Sequence, residues 1–181
     1  MMEVSAVHPS ARWISLVLRG AVAIGAGIAA LLVAPGAAKT VLALYLAVDG
    51  VLTLSLAARM GTRRRARVLI AIDGVADLVV AAVLFLWVPS FVMLILVVAM
   101  WAIATGVLEI VASIFMPRVP ALAWAVAVVG LISCCIGVVA FDWTDLAEIG
   151  LLYLFGAYAV IAGSLFLAVG VLLARAFFRS G

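Results

Sequence analysis

Residues 63–88 read RRRARVLIAIDGVADLVVAAVLFLWV, an arginine cluster followed by an apolar stretch. The apolar part, 68–88, has about the 20 residues that an α-helix needs to cross a hydrocarbon core of about 30 Å. Five further apolar stretches of comparable length lie at 12–34, 39–58, 91–115, 122–141 and 146–174. The sequence therefore predicts an all-α, polytopic membrane protein with six transmembrane helices.

The composition excludes a water-soluble globular fold. Of the 181 residues, 70% are hydrophobic and 10% are charged, and the mean hydropathy is +1.48. Such a chain has too few polar residues to cover a surface in water. We predict one membrane domain, 1–181, with a short cytoplasmic tail at 1–11. The first stretch is too long for a typical signal peptide and contains Arg19, so we interpret it as a true span.

Positive charges lie almost entirely on one side of the predicted spans. Ten of the 11 Lys and Arg residues fall towards the side of the membrane that holds the two termini and the connections from an even helix to the next odd one, whereas Lys39 lies on the other side. Short loops rich in these residues stay cytoplasmic, so both termini are predicted to be cytoplasmic. The expected partner of these charges is the lipid bilayer and not nucleic acid. The predicted topology and lipid-contact residues are Arg63, Arg64, Arg65 and Arg67.

The spans also form an internal repeat of three two-helix units, at about 12–58, 68–115 and 122–178. In each even helix an aromatic residue stands five positions before a glycine: Tyr45 and Gly50, Trp101 and Gly106, Tyr158 and Gly163. The units are offset by 54 to 57 residues, a period typical of supersecondary repeats. Because each unit crosses the membrane twice, the three units are predicted to be parallel hairpins. We interpret the three aromatic residues as packing residues.

Small residues recur every seven positions along these helices, which keeps them on one face of a left-handed helix pair. Lipid supplies no hydrophobic force between helices, so close backbone approach at small residues has to supply the contacts. The glycines predicted to pack helices are Gly20, Gly27, Gly50, Gly74, Gly106, Gly130, Gly137, Gly156, Gly163 and Gly170.

Ionisable residues also occur inside the spans, namely Arg19, Asp49, Asp73, Asp77 and Glu109. Each costs roughly 2.5–3.5 kcal/mol near the bilayer centre, so each needs a partner, water or a proton. One interpretation is a structural ion pair between Arg19 and one or two aspartates. Asp73 is a candidate partner, because it occupies the repeat position equivalent to Arg19.

A second interpretation starts from the charge of this group. One arginine and four carboxylates sum to −3 if all are ionised, which is hard to sustain in a low dielectric. At least one carboxyl group, Asp77 or Asp49, is then expected to carry a proton near neutral pH and to respond to pH. In a third interpretation, Asp73 or Glu109 extends to cytoplasmic water.

Taken together, these features resemble the HdeD-type acid-resistance membrane proteins. The resemblance runs from about Arg12 to Arg175 and is carried by Arg19-Gly20, Pro35-Gly36, Tyr45, Asp49-Gly50, the stretch WAIATGVLE at 101–109, Gly156-Ala157-Tyr158 and Gly163. It implies a small six-helix protein of the bacterial inner membrane that is linked to acid or general stress tolerance, and it implies no catalytic residues. The third hairpin turn departs from the family, since it has acids in place of Pro-Gly. We interpret those acids, Asp142, Asp145 and Glu148, as solvated; cation binding or the sensing of acidity outside the membrane is the alternative.

The sequence contains no nucleotide-binding loop, nucleophile constellation or metal-ligand spacing. We therefore predict a protein that is not an enzyme and needs no cofactor or metal. The leading interpretation is a non-catalytic acid- or stress-resistance protein that responds to pH through its buried carboxylates. Two alternatives remain open. One is a transporter or channel for protons or a small solute, and the other is a scaffold that binds partner membrane proteins or further copies of itself.

Overall fold

The computed structural model describes residues 10–34, 36–59, 64–116, 120–142 and 148–179, apart from the side chains of 10–12, 177 and 179. These residues form six α-helices: α1 (Ser10–Leu32), α2 (Ala38–Arg59), α3 (Arg64–Leu86), α4 (Phe91–Ile114), α5 (Pro120–Asp142) and α6 (Glu148–Arg179). All six are long and apolar enough to cross a membrane. The predicted all-α polytopic fold is thereby confirmed. Arg63 and Asp145, both singled out from the sequence, lie outside the described residues.

Local sequence explains where several helices begin and how one hairpin turns. Gly36 has a φ of +99°, in the left-handed region that glycine adopts without steric cost. The hydroxyl of Ser90 accepts a hydrogen bond from the Met93 N–H at 3.3 Å and caps the start of α4. Helix α5 begins at Pro120, where a missing N–H costs nothing because the first turn has no acceptor for it.

The six helices form a ring in chain order, which is closed by contact between α1 and α6. The most extensive contacts are α6 with α1, α4 with α5, and α2 with α3. Each of these pairs joins two different predicted repeat units, whereas the two helices within a unit touch less. The arrangement as three parallel hairpin units stays a prediction.

Each of the closest helix pairs contains a glycine–glycine contact. A Cβ atom built on the first glycine would meet the carbonyl oxygen of the second at 2.6 Å for Gly20 on Gly163, 2.8 Å for Gly50 on Gly74 and 2.6 Å for Gly106 on Gly130. No side chain fits at such distances, so the backbones touch there. A Cβ built on any of the remaining glycines that the sequence assigned to packing would also meet an atom of a neighbouring helix within 2.8 Å, a backbone oxygen for the first of them and a side-chain carbon for the other three: Gly27, Gly137, Gly156 and Gly170.

The interior of the ring is layered. One apolar cluster, which includes Leu42 and Leu84, lies towards the starts of α2, α4 and α6. A second, which includes Leu16 and Ile70, lies towards the start of α1. In α3, Asp73 and Asp77 fall between Ile70 and Leu84 along the helix, so the buried ionisable residues occupy the layer between the two apolar clusters.

Candidate functional site

The ionisable residues of the spans meet in that middle layer. Helix α1 contributes Arg19, α2 contributes Asp49, α3 contributes Asp73 and Asp77, and α4 contributes Glu109. None of them is more than 8% exposed. Arg19 lies close enough to interact electrostatically with Asp49, Glu109 and Asp73, and Asp77 with Asp49 and Asp73. We call these five residues the charged cluster.

Arg19 is paired with Asp49 through both of its carboxylate oxygens. The Arg19 Nε atom donates to Asp49 Oδ1 and Nη2 donates to Oδ2, each at 2.9 Å. The guanidinium also lies 4.6 Å from the centre of the Phe166 ring, a favourable cation–π distance. Fork-shaped pairing of this kind is the strongest form of charge-assisted hydrogen bond in proteins. The guanidinium is therefore held between α2 and α6.

The partner of Arg19 is thus not the one that repeat equivalence suggested. The described residues include no ion pair within 4.0 Å between Arg19 and Asp73; besides Asp49, only Glu109 approaches, with Oε1 3.6 Å from Arg19 Nη2. Equivalent positions of a threefold repeat lie on alternate helices, α1 and α3 here. Asp49 is on α2, the helix that directly adjoins α1, and so Asp49 forms the ion pair with Arg19.

Two carboxylate oxygens of the cluster have no hydrogen-bond donor among the described residues. They are Asp73 Oδ1 and Glu109 Oε2, and both are buried. The hydroxyl oxygen of Thr53, one helical turn after Asp49, also lacks a partner. Buried polar groups in proteins are nearly always hydrogen-bonded, so these unpartnered atoms call for an explanation.

Asp77 has a donor that sequence reasoning missed. The indole Nε1 of Trp101 donates to Asp77 Oδ1 at 2.8 Å, although Trp101 was interpreted as a packing residue only. Alignment of the repeat units contains the signal that would have found this contact. Ser133 and Tyr158 stand 56 and 57 residues after Asp77 and Trp101, and Ser133 Oγ donates to the Tyr158 hydroxyl oxygen at 2.8 Å. The same pair of positions thus forms a polar contact in two units.

A small cavity between α4, α5 and α6 is lined in part by Trp101. Its volume is about 20 Å³, enough for roughly one water molecule. The lining is almost entirely apolar and includes the polar side chains of Ser133 and Tyr158. It extends as far as Leu151, within one turn of the start of α6. Trp101 therefore both lines this cavity and donates to Asp77, which is not among the lining residues.

Side-chain to backbone hydrogen bonds connect different helices at the end of the bundle where α2, α4 and α6 begin. Glu148 Oε1 accepts hydrogen bonds from the backbone N–H groups of Gly36 at 2.6 Å and Ala38 at 3.3 Å. Lys39 Nζ donates to the carbonyl oxygen of Val88 at 3.4 Å. The interpretation of Glu148 as a merely solvated acid was therefore wrong. Its carboxylate satisfies N–H groups at the start of α2, which have no acceptor within that helix.

The predicted topology and lipid-contact residues lie at the opposite end of the bundle. Those that the structure describes are exposed, namely Arg64, Arg65 and Arg67. The Arg65 guanidinium lies 5.8 Å from the centre of the Phe115 ring. Exposed arginines at a helix end are free to meet lipid headgroups or another protein. Among the described residues, no group of three or more His, Cys, Asp or Glu side chains could hold a metal ion.

Six apolar helices in a closed ring around a buried charged cluster define a multi-pass α-helical integral membrane protein. No family model, curated protein or solved structure matches this chain.

Proposed function

We propose that the protein is a non-catalytic membrane protein of the acid- or stress-tolerance type, and that the charged cluster is its pH-responsive element. One observation carries the proposal: the charged cluster holds four buried carboxyl groups and one arginine, and only Asp49 and Glu109 come within 4.0 Å of that arginine. The proposal includes a bacterial inner membrane and cytoplasmic termini, which the one-sided arginines favour.

The physical argument concerns uncompensated charge. With Asp49 neutralised by Arg19, three further carboxyl groups remain in the same buried layer. Of these three, only Glu109 lies within 4.0 Å of Arg19, which is already paired with Asp49. Buried negative charge in excess of the available cations is unstable in a low dielectric, and proton binding is the usual way to relieve it. Because the carboxyl groups come from α2, α3 and α4, their charge state affects how these helices pack. A change in proton activity therefore acts on the packing of the bundle.

The resemblance to the HdeD-type proteins supports the acid- or stress-tolerance role in the proposal. Its carriers, Arg19-Gly20, Asp49-Gly50 and the stretch at 101–109, include three of the five residues of the charged cluster and one glycine of each of the three glycine–glycine contacts. A tolerance function based on protonation needs no active site, which agrees with a role that does not involve catalysis.

The test is survival of a bacterial strain that lacks the gene after a strong acid challenge. The strain is complemented with wild type, Asp77→Asn or Glu109→Gln at matched membrane levels, with Trp124→Phe on the exposed surface as a control. Rescue is expected from wild type and the control and not from the two amide variants. Equal survival with and without wild-type protein would contradict the proposed function.

Proton transport is the second candidate, because the indole that donates to Asp77 also lines the cavity between α4, α5 and α6. The small volume and apolar lining of this cavity weigh against an open path. Purified protein in liposomes with an internal pH dye decides between the two. Proton flux that is lost in Asp77→Asn would favour transport, and no flux above protein-free liposomes would leave the first proposal alone.

A further inference from the structure

A larger cavity opens at the end of the bundle where α2, α4 and α6 begin. Its volume is about 200 Å³, far above the roughly 10–15 Å³ that one water molecule requires. The wall is formed by the start of α2, the turn between α3 and α4, and the first residue of α6. We call this space the turn cavity. It shares no lining residue with the charged cluster, so it is a separate feature of the molecule.

Two opposite charges line the turn cavity without pairing. Lys39 and Glu148 both belong to its wall, and each is half-buried. Along the described chain, ion pairs with an N–O distance within 4.0 Å are formed by Arg19 alone. The Lys39 ammonium and the Glu148 carboxylate are therefore more than 4.0 Å apart, with the cavity between the segments that carry them. A molecule that occupies the cavity can contact both charges.

Both charged groups also retain binding capacity. An ammonium has three donors, and Lys39 uses one of them in a long bond of 3.4 Å to the Val88 carbonyl oxygen. Glu148 accepts its hydrogen bonds from Gly36 and Ala38 on Oε1, and no described residue donates to its Oε2 atom. Because those backbone bonds fix the carboxylate in the wall, its second oxygen is positioned in advance for a ligand.

This combination of charges selects a class of ligand. A simple anion would be repelled by Glu148 and a simple cation by Lys39, and such like-charge contacts are costly. A molecule that carries both an ammonium and an acid group satisfies both residues. The start of α4, at Ser90 and Phe91, lies in the same wall, and the positive end of a helix favours an acid group there. Leu94 adds an apolar surface for a short carbon chain.

We propose that the turn cavity is a binding site for a small zwitterion. Its primary ammonium would contact Glu148 Oε2, and its carboxylate or phosphate would contact Lys39 Nζ at the start of α4. Two sources share this chemistry, a free amino acid and the headgroup of phosphatidylethanolamine. The site goes beyond the proposed function and does not depend on it, since none of its residues belongs to the charged cluster.

The test is titration calorimetry of the full-length protein in nanodiscs of phosphatidylglycerol, a lipid without an ammonium. Glycine and phosphoethanolamine are the zwitterionic probes, and acetate and methylammonium are the single-charge controls. At least one zwitterion should bind saturably, and neither control should. Lys39→Met and Glu148→Gln should each raise the Kd about tenfold or more, the effect of losing one hydrogen bond between charged groups.

Two features of the variants make this comparison specific. Glu148→Gln keeps a carbonyl oxygen for the N–H groups of Gly36 and Ala38, so it is expected to fold. Asp142→Asn is the matched control, since it removes an exposed acid at the same end of the bundle that does not line the turn cavity. Its Kd should equal that of the wild type. An equal loss in Asp142→Asn would reduce the effect to general surface charge and overturn the site.

The remaining outcomes decide the ligand class and its source. Absence of binding by both zwitterions would overturn the site, and so would acetate that binds as tightly as glycine or an effect confined to one of the two variants. When phosphatidylethanolamine is added to the nanodiscs, a weaker apparent affinity for the soluble probe would identify the lipid headgroup as the occupant. An unchanged affinity would identify a free solute. None of these results bears on the charged cluster, so the proposed function is tested separately by acid survival.

Discussion

Arg19 is the residue on which the polar interior depends, since it supplies the only positive charge in the charged cluster. Removal of one partner from a buried ion pair leaves an uncompensated charge and typically costs about 3–5 kcal/mol. We therefore expect Arg19→Met to lower the free energy of unfolding by about 3 kcal/mol or more. The measurement is reversible unfolding of the purified protein in mixed micelles.

The double variant Arg19→Met/Asp49→Asn serves as the matched control for this prediction. It removes the orphaned charge as well as the arginine, so it should be more stable than Arg19→Met alone. If the losses of unfolding free energy in the single variants Arg19→Met and Asp49→Asn add up to the loss in the double variant, the contacts at 2.9 Å contribute little to folding.

Trp101 allows a second prediction at the residue scale. Trp101→Phe preserves an aromatic ring and removes the donor to Asp77. Interhelical hydrogen bonds in membrane proteins contribute about 0.6 kcal/mol on average and up to about 1.7 kcal/mol, so a loss within that range is expected in the same unfolding assay. Trp124→Phe, at an indole that is 74% exposed, is the control and should be neutral. Equal losses in the two variants would mean that ring size, and not the hydrogen bond, determines the effect.

The composition of the charged cluster was predictable from sequence, and so was a buried ion pair between Arg19 and an aspartate; the identity of that aspartate was not. Arg19, Asp73 and Glu109 were identified because an ionisable residue inside an apolar span has to be buried, paired or functional. Their partners depend on which helices adjoin and on the reach of individual side chains, and neither is encoded in spacing along one helix. Trp101 was missed because an aromatic residue near a glycine is compatible with packing alone.

At the scale of helices, the glycine contacts determine how close the backbones come. A Cβ on Gly106 would lie 2.6 Å from the Gly130 carbonyl oxygen, so Gly106→Ala forces α4 and α5 apart. We expect a loss of about 1–3 kcal/mol, the usual cost of overpacking, measured by unfolding in mixed micelles. Gly25→Ala is the control, since a Cβ there meets nothing within 4 Å and alanine is the better helix former. A neutral Gly106→Ala would refute close backbone contact between these helices.

The number and rough position of the helices followed from hydrophobic length, but the choice of neighbours did not. The sixth span was predicted at 146–174, and α6 is Glu148–Arg179; such differences arise because amphipathic residues continue a helix beyond the apolar core. The most extensive contacts are between units, as between α2 and α3. The seven-residue spacing of small residues shows which face of a helix packs against another helix. It does not show which helix is the partner.

Glu148 gives a prediction for the hairpin end of the bundle. Glu148→Ala removes the acceptor for the N–H groups of Gly36 and Ala38, so amide hydrogen exchange at Ala38 should accelerate by about tenfold, as expected for the loss of a hydrogen bond to a charged acceptor. Glu148→Gln retains a carbonyl oxygen and should show a smaller effect. Unchanged exchange in Glu148→Ala would mean that this contact does not hold the α1–α2 turn.

Over the whole molecule, repeat-equivalent positions are buried in all three units, although the residue types at these positions differ. Arg19, Asp73 and Val129 occupy equivalent positions and are all buried; so are Thr53, Glu109 and Phe166. The scaffold thus provides the same interior positions three times, and the ionisable residues fill them mainly in the first two units. Because the third unit contributes Val129 and Phe166 instead, the charged cluster is displaced towards α1–α4, and the aromatic face of Phe166 becomes available to the Arg19 guanidinium.

The orientation of the whole bundle in the membrane is the last prediction. Loops rich in arginine stay cytoplasmic, so the end that contains Arg64 is expected inside and the end that contains Thr40 outside. Both residues are exposed, and a single cysteine at either position, in a Cys134→Ala/Cys135→Ala background, can be probed with a membrane-impermeant maleimide. Thr40→Cys should react in intact cells, and Arg64→Cys only after permeabilisation. The reverse pattern would mean that arginine does not set the topology of this chain, and it would place the capped start of α2 in the cytoplasm, where external acid cannot reach it directly.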